Sequence, residues 1–517
     1  MLKISKNKAI SIIGIVLVFS YFLSILLSKE TTNLDELWNY NIARNIANGL
    51  IPYKDISLIT TPFLPMVEAG ILKITVNELI VFRFLNAILI TAIIYVTYKI
   101  FNTLGINKII SAIMLVPIVF ILKDEIFLDY NFFILFITLI IMYIELKGIK
   151  KELSKKREII IGILAGLAIC TKQTIGILIC LIVLAMPIIL GVKKENKKNI
   201  FYRLIGVAIS IFSTLLYLII TGAISDFFSY TVFAINTFSN TIPYSNLINS
   251  NNIEIRILAI ILPIVFTATI SLLAFREIKK LISKKINVEK QKIIIEEKVF
   301  INIKILLLYS IPLLAIQYPI ADEIHFKLSN YIIIMIALFI IYTVIKRITE
   351  KLNNNIKKSV KISIEFFIIS CSLVYLFLGI MNNTKLYFEA NKNYELKYYK
   401  GLIVPEYIKE LYNNIAMKEK EYKNQGKSVN ILDSNAVALH IPMDKYVKNY
   451  DMFNKGNFGK DGEEGIIKQI KEKNNQVYLV KKHQFQKNWQ NPKLVTEYIE
   501  NNLTKIDEVD IYDIYEK

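Results

Sequence analysis

AISIIGIVLVFSYFLSILLS, residues 9–28, decides the class of fold, because it carries no charged residue over a membrane-spanning length. A helix needs about 20 apolar residues to cross a hydrocarbon core of about 30 Å. Lys3, Lys6 and Lys8 precede the stretch, and it lacks a small-x-small cleavage pattern. We therefore expect an uncleaved first span with the N-terminus in the cytoplasm, and not a removed signal peptide.

Further apolar blocks follow the first one, separated by Lys-rich or Asn-rich stretches. Hydrophobic residues make up 54% of the chain, and the mean hydropathy is +0.45, which is more apolar than a soluble protein of this length requires. We predict a polytopic α-helical membrane bundle of about eleven spans. The predicted spans are residues 9–28, 79–101, 108–122, 128–146, 158–170, 175–191, 203–222, 256–275, 303–320, 328–346 and 361–381.

The net charge of +19 is distributed in a way that fits membrane topology. Basic residues cluster between alternate spans, in residues 147–157, 193–203, 276–304 and 346–361. The other connections are acidic or neutral. Because cytoplasmic loops of membrane proteins are enriched in Lys and Arg, this pattern predicts a multi-pass protein of the cytoplasmic membrane, in contact with its lipids. It does not favour nucleic-acid binding, the other common reason for a basic chain.

The first outer loop, residues 29–78, contains helical signals. Asn33 followed by Glu36 is typical of a capping box. An apolar stripe at three-to-four spacing, with Trp38 among its members, then ends at Gly49. We expect a short helix along the membrane surface. Residues 58–74 are apolar but interrupted by proline and glycine, which predicts a re-entrant or interfacial segment.

The composition changes after residue 381. Charged residues become frequent, and short strand-like and helix-like runs alternate. Strand-like runs occur at 429–432, 477–480 and 509–515, and helix-like runs at 464–472 and 493–501. We therefore divide the chain into a transmembrane catalytic domain, residues 1–381, and a small extracytoplasmic α/β domain, residues 382–517.

Polar side chains gather at the predicted outer membrane face from several loops. They are Asp35 and Glu36; Tyr53 and Asp55; Asp129 and Tyr130; Lys172 and Gln173; and Asp322, Glu323 and His325. Each group also has an ordinary explanation, such as a solvated helix start, a turn or a snorkelling lysine. Together they suit a reaction on a lipid-linked substrate, with a carboxylate as general base and a lysine on a phosphate leaving group. The last group could bind a divalent metal, orient a substrate or face water.

Three of these stretches resemble membrane glycosyltransferases of the C-type fold, in the group that contains protein O-mannosyltransferases and aminoarabinose transferases. The stretches are residues 35–62, which begin DELW and include PYKD; residues 129–131, DYN; and residues 162–174, which begin GILAGLA and end TKQT. The likeness covers about the first 190 residues in motifs, and the later spans only in layout.

The resemblance implies an inverting transfer of a sugar from a polyprenyl-phosphate donor to a hydroxyl of a glycan, lipid or protein, outside the cytoplasmic membrane. It implies that Asp35 is the catalytic base, with Glu36 the alternative. It implies that Asp129 is the acid of the second outer loop and that Lys172 contacts the donor phosphate. Donor or acceptor binding would also involve Tyr53, Asp55, Tyr130, Gln173 and His325. The sequence itself makes a divalent metal at Asp322, Glu323 and His325 possible, and it indicates no cofactor with certainty.

A transporter or flippase of lipid-linked glycans is the main alternative, and a non-catalytic assembly protein is another. A transporter needs a polar path through the depth of the bundle, often within paired half-repeats. Here the acids cluster outside, and the span interiors are nearly uncharged. The sequence therefore favours an enzyme.

Overall fold

The computed structural model describes residues 6–123, 127–149, 154–190, 196–234, 241–283, 293–349, 354–486 and 491–517. Most of these residues are helical. The first helices are α1 (Lys6–Ser28), α2 (Leu34–Ala47), α3 (Phe63–Ile74), α4 (Leu79–Thr103), α5 (Lys108–Leu122), α6 (Tyr130–Gly148), α7 (Lys155–Thr171), α8 (Gln173–Ile189), α9 (Asn196–Ile220) and α10 (Ile224–Thr231). They are followed by α11 (Ser245–Ile248), α12 (Ile253–Ser283), α13 (Ile293–Leu314), α14 (Glu323–Ser329), α15 (Tyr331–Thr349), α16 (Asn354–Glu389), α17 (Glu406–Asn424), α18 (Val437–His440), α19 (Gly462–Glu472) and α20 (Lys493–Asn502).

The helices of the first three quarters of the chain have membrane character. Within the described residues, seven helical segments are long and apolar enough to cross a membrane: Leu79–Thr103, Tyr130–Gly148, Lys197–Ile220, Ile253–Ile278, Val299–Gln317, Tyr331–Thr349 and Ser363–Glu389. Shorter apolar segments are Ile12–Ser28, Lys108–Leu122 and Gln173–Ile189. The predicted helical membrane bundle is confirmed. Every predicted span coincides with a helix, and the total number of crossings stays a prediction.

The closest helix packing in the bundle joins α7 to α9. A Cβ atom added to Gly162 would lie 2.0 Å from the carbonyl oxygen of Arg203, and one added to Gly206 would lie 2.2 Å from that of Ile159. Glycine is therefore needed at both positions, because any side chain would push the two backbones apart. Small residues at such contacts are how membrane helices come close together.

A buried ion network lies where α6, α7 and α9 meet. The Arg203 guanidinium is 2.6 Å from a carboxylate oxygen of Glu145 and 2.7 Å from one of Glu158. It also donates to the carbonyl of Val183 in α8 at 2.6 Å. A buried charge is tolerated when partners of opposite sign surround it, so the network holds four helices together.

The C-terminal region is a mixed four-stranded sheet with helices on both faces. Its strands are β1 (Ser428–Leu432), β2 (Gln476–Lys481), β3 (Thr504–Val509) and β4 (Tyr512–Glu516), in the spatial order β1-β2-β4-β3. β1 and β2 are parallel, and the other pairs are antiparallel. One face packs on α17 through Ile415, and the other packs on α19 and α20 through Ile466 and Ile499. β2 is therefore buried on both faces: Val477 and Leu479 pack on the α17 side, and Tyr478 and Val480 pack on the side of α19 and α20.

Three details differ from the sequence-based expectations. The apolar run 509–515 is two strands, because Asp510 turns the chain with φ +49. The helix α17 consists largely of polar and charged residues, and it was not predicted. The expected domain boundary after residue 381 falls within α16, which continues to Glu389. The division of the chain into two domains stays a prediction.

Candidate active site

Asp35 lies in the first turn of α2, in the segment that follows α1, and it is exposed. Asn33 caps the helix, because its side chain accepts a hydrogen bond from the backbone N–H of Glu36 at 2.8 Å. Asn39 donates to the carbonyl oxygen of Asp35 at 2.8 Å. The partial positive charge of a helix N-terminus favours a carboxylate at this position. Sequence reasoning located this helix start correctly.

Glu36 has a different environment, although it is the next residue. It is buried and forms a two-pronged ion pair with Arg83 of α4, at 2.9 Å from Nε and 2.8 Å from the second terminal nitrogen. The same guanidinium donates to the carbonyl oxygens of Leu26, Lys29 and Glu30. The reciprocal half of the expected capping box is therefore not formed, because Arg83 takes the Glu36 carboxylate. This pair fixes the end of α1 and the start of α2 to α4.

Asp129 and Lys172 are joined through an asparagine. Asp129 caps α6 by accepting from the backbone N–H of Phe132 at 2.9 Å, and it accepts from the Asn131 side chain at 3.0 Å. Lys172 donates to the side-chain oxygen of Asn131 at 2.9 Å. Burial raises the pKa of Asp129 above its ordinary value, against the opposing effects of the Phe132 N–H, His325 and Lys172. Burial lowers the pKa of Lys172 to about 8, against the effect of Asp129.

Tyr130 lies where the outer segments converge. The ammonium of Lys172 is 4.7 Å from the centre of its ring, a cation–π contact. Its hydroxyl is within electrostatic range of Asp129, Asp35 and Asp322, which belong to three different outer segments. Of the predicted site residues, Asp129, Tyr130 and Lys172 are thus in one cluster, with Asp35 and Asp322 near it.

The residues considered for a metal lie at the start of α14. Nδ1 of His325 is 2.6 Å from Oδ1 of Asp322, which also accepts the backbone N–H of His325 at 2.9 Å. Glu323 turns away and accepts from Ser250 at 3.0 Å. In the part of the chain that the structure describes, no three His, Cys, Asp or Glu side chains are grouped closely enough to hold a metal ion. The fit to a metal is therefore poor, and we assign no chemical step to one.

Tyr53 and Asp55 shape the first outer loop from within. Tyr53 is fully buried, adopts φ +68, and donates its hydroxyl proton to the carbonyl of Thr60 at 2.7 Å. Its ring packs edge-on against Phe227. The Asp55 carboxylate accepts from the backbone N–H of Ile51 at 2.8 Å. In this structure both side chains make contacts that fold the loop.

Gln173 connects that loop to the hairpin between α7 and α8. Its amide nitrogen donates to the carbonyls of Ile59 at 3.2 Å and Thr231 at 3.0 Å. Close by, the Thr61 hydroxyl donates to the carbonyl of Ile169 at 2.8 Å. The loop therefore rests on the hairpin that carries Lys172, and its position is coupled to that of the lysine.

Residues of the C-terminal region hold the same loop from the other side, which sequence reasoning missed. The Tyr446 hydroxyl accepts the backbone N–H of Ser57 at 2.9 Å, and the Ser57 hydroxyl donates to Asp451 at 2.9 Å. Lys448 donates to the carbonyl of Tyr53 at 2.6 Å. Burial raises the pKa of Asp451 to about 6, although hydrogen bonds to it act in the opposite direction. We call Tyr446, Lys448 and Asp451 the loop clamp.

The buried position of Glu68 was also not predicted from the sequence. Its position in the interrupted stretch suggested an outer acid, but α3 buries it. Asp129 acts on it electrostatically, so the two carboxyl groups are neighbours. One of its oxygens has no hydrogen-bond partner among the described residues. Only the irregular spacing of prolines around α3 hinted that this segment turns inward.

Comparison with known proteins finds a similarity to one family over part of the chain. Residues 60–218 match the family model described as dolichyl-phosphate-mannose-protein mannosyltransferase. The predicted resemblance is confirmed. The mannosyltransferase-like segment contains Asp129, Tyr130, Lys172 and Gln173, whereas Asp35 precedes it and His325 follows it. No curated protein matches the chain as a whole or in part.

Solved structures with a similar arrangement come from the archaeon Archaeoglobus fulgidus. One is its oligosaccharyltransferase in complex with Zn and sulfate, at 12% identity and a TM-score of 0.49, covering 90% of this chain and 68% of that one. Another is oligosaccharyltransferase AglB with an inhibitory peptide and a dolichol-phosphate, at 13% identity and a TM-score of 0.49. That match covers 92% of this chain and 70% of the other.

Proposed function

We propose that the protein is a membrane glycosyltransferase that moves a sugar from a polyprenyl-phosphate donor to an acceptor hydroxyl on a glycan, lipid or protein. The observation that carries the proposal is the contact of the half-buried Lys172 with Tyr130 and Asn131, beside the carboxylate of Asp129. Asp35 and Asp322 are within electrostatic range of the same tyrosine. The family match supports it, because that family is described by a dolichyl-phosphate sugar donor.

Asp35 is the proposed general base. It is an exposed carboxylate, so it can meet an acceptor hydroxyl, and Glu36 is buried in an ion pair with Arg83. The hydroxyl proton passes to Asp35 while the acceptor oxygen forms its bond to the anomeric carbon. The bond from that carbon to the phosphate oxygen breaks at the same time, and the phosphate leaves with the electron pair. Attack opposite the leaving group inverts the anomeric centre.

Lys172 is the proposed partner of the leaving phosphate. A pKa of about 8 keeps the amine protonated at neutral pH, and burial makes its charge act in a medium of low polarity. The side-chain oxygen of Asn131 accepts a hydrogen bond from the Lys172 ammonium, and the Asn131 amide nitrogen donates to Asp129. These two bonds fix the direction of the ammonium group. Asp129 is therefore proposed as a positioning residue.

The remaining predicted residues take supporting roles in this proposal. Tyr130 and His325 line the place where donor and acceptor meet, and Asp322 orients the imidazole of His325. Tyr53, Asp55 and Gln173 hold the outer loop against the α7–α8 hairpin. The basic loops favour a site outside the cytoplasmic membrane, with the N-terminus in the cytoplasm and the C-terminal region outside.

Replacing the base tests the proposal directly. In membranes supplied with a radiolabelled polyprenyl-phosphate sugar, Asp35→Asn should lower the transfer rate by about 10²- to 10⁴-fold, the usual contribution of a general base. Glu30→Gln, an exposed acid in the same loop, is the matched control and should keep its activity. Full activity of Asp35→Asn would remove Asp35 from the mechanism. Movement of the donor across the membrane without any product would favour the transporter.

A further inference from the structure

A cavity of about 350 Å³ lies between the C-terminal sheet and the start of α2. The segment before and at the start of α2 contributes Thr32 and Leu34, and α17 contributes Glu410. The carboxyl ends of the parallel strands β1 and β2 contribute Asn435 and Lys481. In open α/β sheets, ligands bind outside the carboxyl ends of the strands, which is where this cavity is found.

The floor of the cavity is a preorganised carboxylate. Asp433 directly follows β1 and is buried. It accepts hydrogen bonds from the Tyr512 hydroxyl at 2.7 Å and the backbone N–H of Asn435 at 3.1 Å, and Lys481 lies 3.1 Å away. A buried carboxylate with three such donors does not move freely, so the polar wall around it keeps its shape without a ligand.

The lining has the chemistry of a saccharide site. Glu410, Asp510 and Asn435 border it with two carboxylates and an amide, and the Asp510 carboxylate also accepts from the Asn414 side chain at 3.0 Å. Hydroxyl groups of a sugar donate to such oxygens and accept from such an amide. Tyr407 presents a ring that is 60% exposed, against which the apolar face of a sugar ring can pack. The three carboxylates disfavour an anionic ligand, and the volume is within the usual range of small-molecule pockets, about 300–1,000 Å³.

We infer that this cavity binds a saccharide of the acceptor, so that the acceptor is a glycan. The inference rests on the proposed transfer reaction. Leu34, which lines the cavity, immediately precedes Asp35, the proposed base. Leu37 lines it too, so a saccharide held there lies against the first turn of α2, the turn that carries the proposed base, and a longer glycan can extend from the cavity to Asp35.

Filling the cavity separates acceptor binding from donor chemistry. Asn435→Trp should raise the KM for the membrane glycan acceptor at least about tenfold, the loss expected when a set of hydrogen bonds is removed, and leave the donor KM unchanged. Slow hydrolysis of the donor by water should also continue at the rate of the unmodified protein. Asn424→Trp, at the exposed end of α17, is the matched control. An unchanged acceptor KM in Asn435→Trp would overturn the inference while leaving the transfer reaction intact.

A binding measurement keeps the inference independent of activity. The full chain carrying Asp35→Asn, in lipid nanodiscs, is probed by saturation-transfer NMR with chitobiose, cellobiose and mannobiose, and separately with a serine-containing peptide. Saturation of a disaccharide, lost when Asn435→Trp is added but not when Asn424→Trp is added, supports the site. Saturation of the peptide alone, or of no disaccharide, overturns it. A disaccharide signal from the Asp35→Asn protein, together with no sugar transfer by the unmodified protein, would refute the proposed reaction and leave the saccharide site standing.

Discussion

Lys172 is a half-buried amine whose charge state depends on its surroundings. A lowered pKa means that the ammonium form persists below about pH 8 and is lost as the pH rises through that value. If the ammonium holds the donor phosphate, the donor KM should rise steeply above about pH 8 in the unmodified protein. Lys172→Arg keeps its charge throughout, so its donor KM should stay level between about pH 6.5 and about pH 9.5.

The matched control for this series is Lys54→Arg, since Lys54 is an exposed lysine of the first outer loop. Its pH profile should follow that of the unmodified protein. A rise of the donor KM at the same pH in Lys172→Arg would assign the titration to another group and contradict the role of Lys172.

Asp451 of the loop clamp makes the stability of the fold depend on pH. Its pKa of about 6 lies above the ordinary value of 3.8, so the folded protein binds the proton more tightly than the unfolded chain does. Stability therefore falls as the pH rises from about 4 to about 6 and stays lower above that, by up to about 3 kcal/mol. Asp451→Asn should flatten this dependence, measured as the thermal unfolding midpoint in detergent at both ends of the range.

Asp461→Asn serves as the comparison, because Asp461 is exposed at the start of α19. It should leave the pH dependence as it is. An Asp451→Asn protein that loses stability with rising pH just as the unmodified protein does would show that other carboxyl groups control the transition.

At the scale of elements, the contact between α7 and α9 depends on glycine. Gly162→Ala would bring a Cβ atom to 2.0 Å from a backbone carbonyl, which cannot be relieved by a side-chain rotation. We expect a loss of stability of about 1–3 kcal/mol, the cost of overpacking, and a weaker ion network around Arg203. The thermal unfolding midpoint in detergent measures it. Gly70→Ala in α3, where nothing lies within 4 Å, should be neutral, and an equal loss there would contradict the packing argument.

The elements themselves were largely predictable, because each depends on a local signal. Apolar length predicted the membrane helices, and Asn33 predicted the start of α2. Pairings between distant residues were not predictable. The carboxylate of Glu36 could have completed its capping box, but Arg83, 47 positions away, takes it through a stronger charge-assisted bond. Asp451 and Ser57 are separated by 394 positions, and the sequence around each of them contains no pattern that predicts their contact.

At the scale of the molecule, the C-terminal region is part of the apparatus that forms the site. The loop clamp holds residues 53–57, and Gln173 ties the same loop to the α7–α8 hairpin. Lys172 lies at that hairpin and contacts Asn131 at the head of α6. A continuous chain of hydrogen-bonded contacts therefore leads from the C-terminal sheet region to the proposed phosphate-binding lysine.

Loosening the clamp should consequently slow catalysis without unfolding the bundle. Tyr446→Phe removes the hydroxyl that accepts the backbone N–H of Ser57. Amide hydrogen exchange in residues 51–61 should then become about fivefold to tenfold faster, which is the equivalent of one lost hydrogen bond. The transfer rate should fall while the donor KM stays within about twofold, since Lys172 keeps its charge. Tyr394→Phe, at an exposed tyrosine of the same region, provides the matched control. Faster exchange in the loop with an unchanged transfer rate would mean that the C-terminal region braces the loop without influencing the reaction.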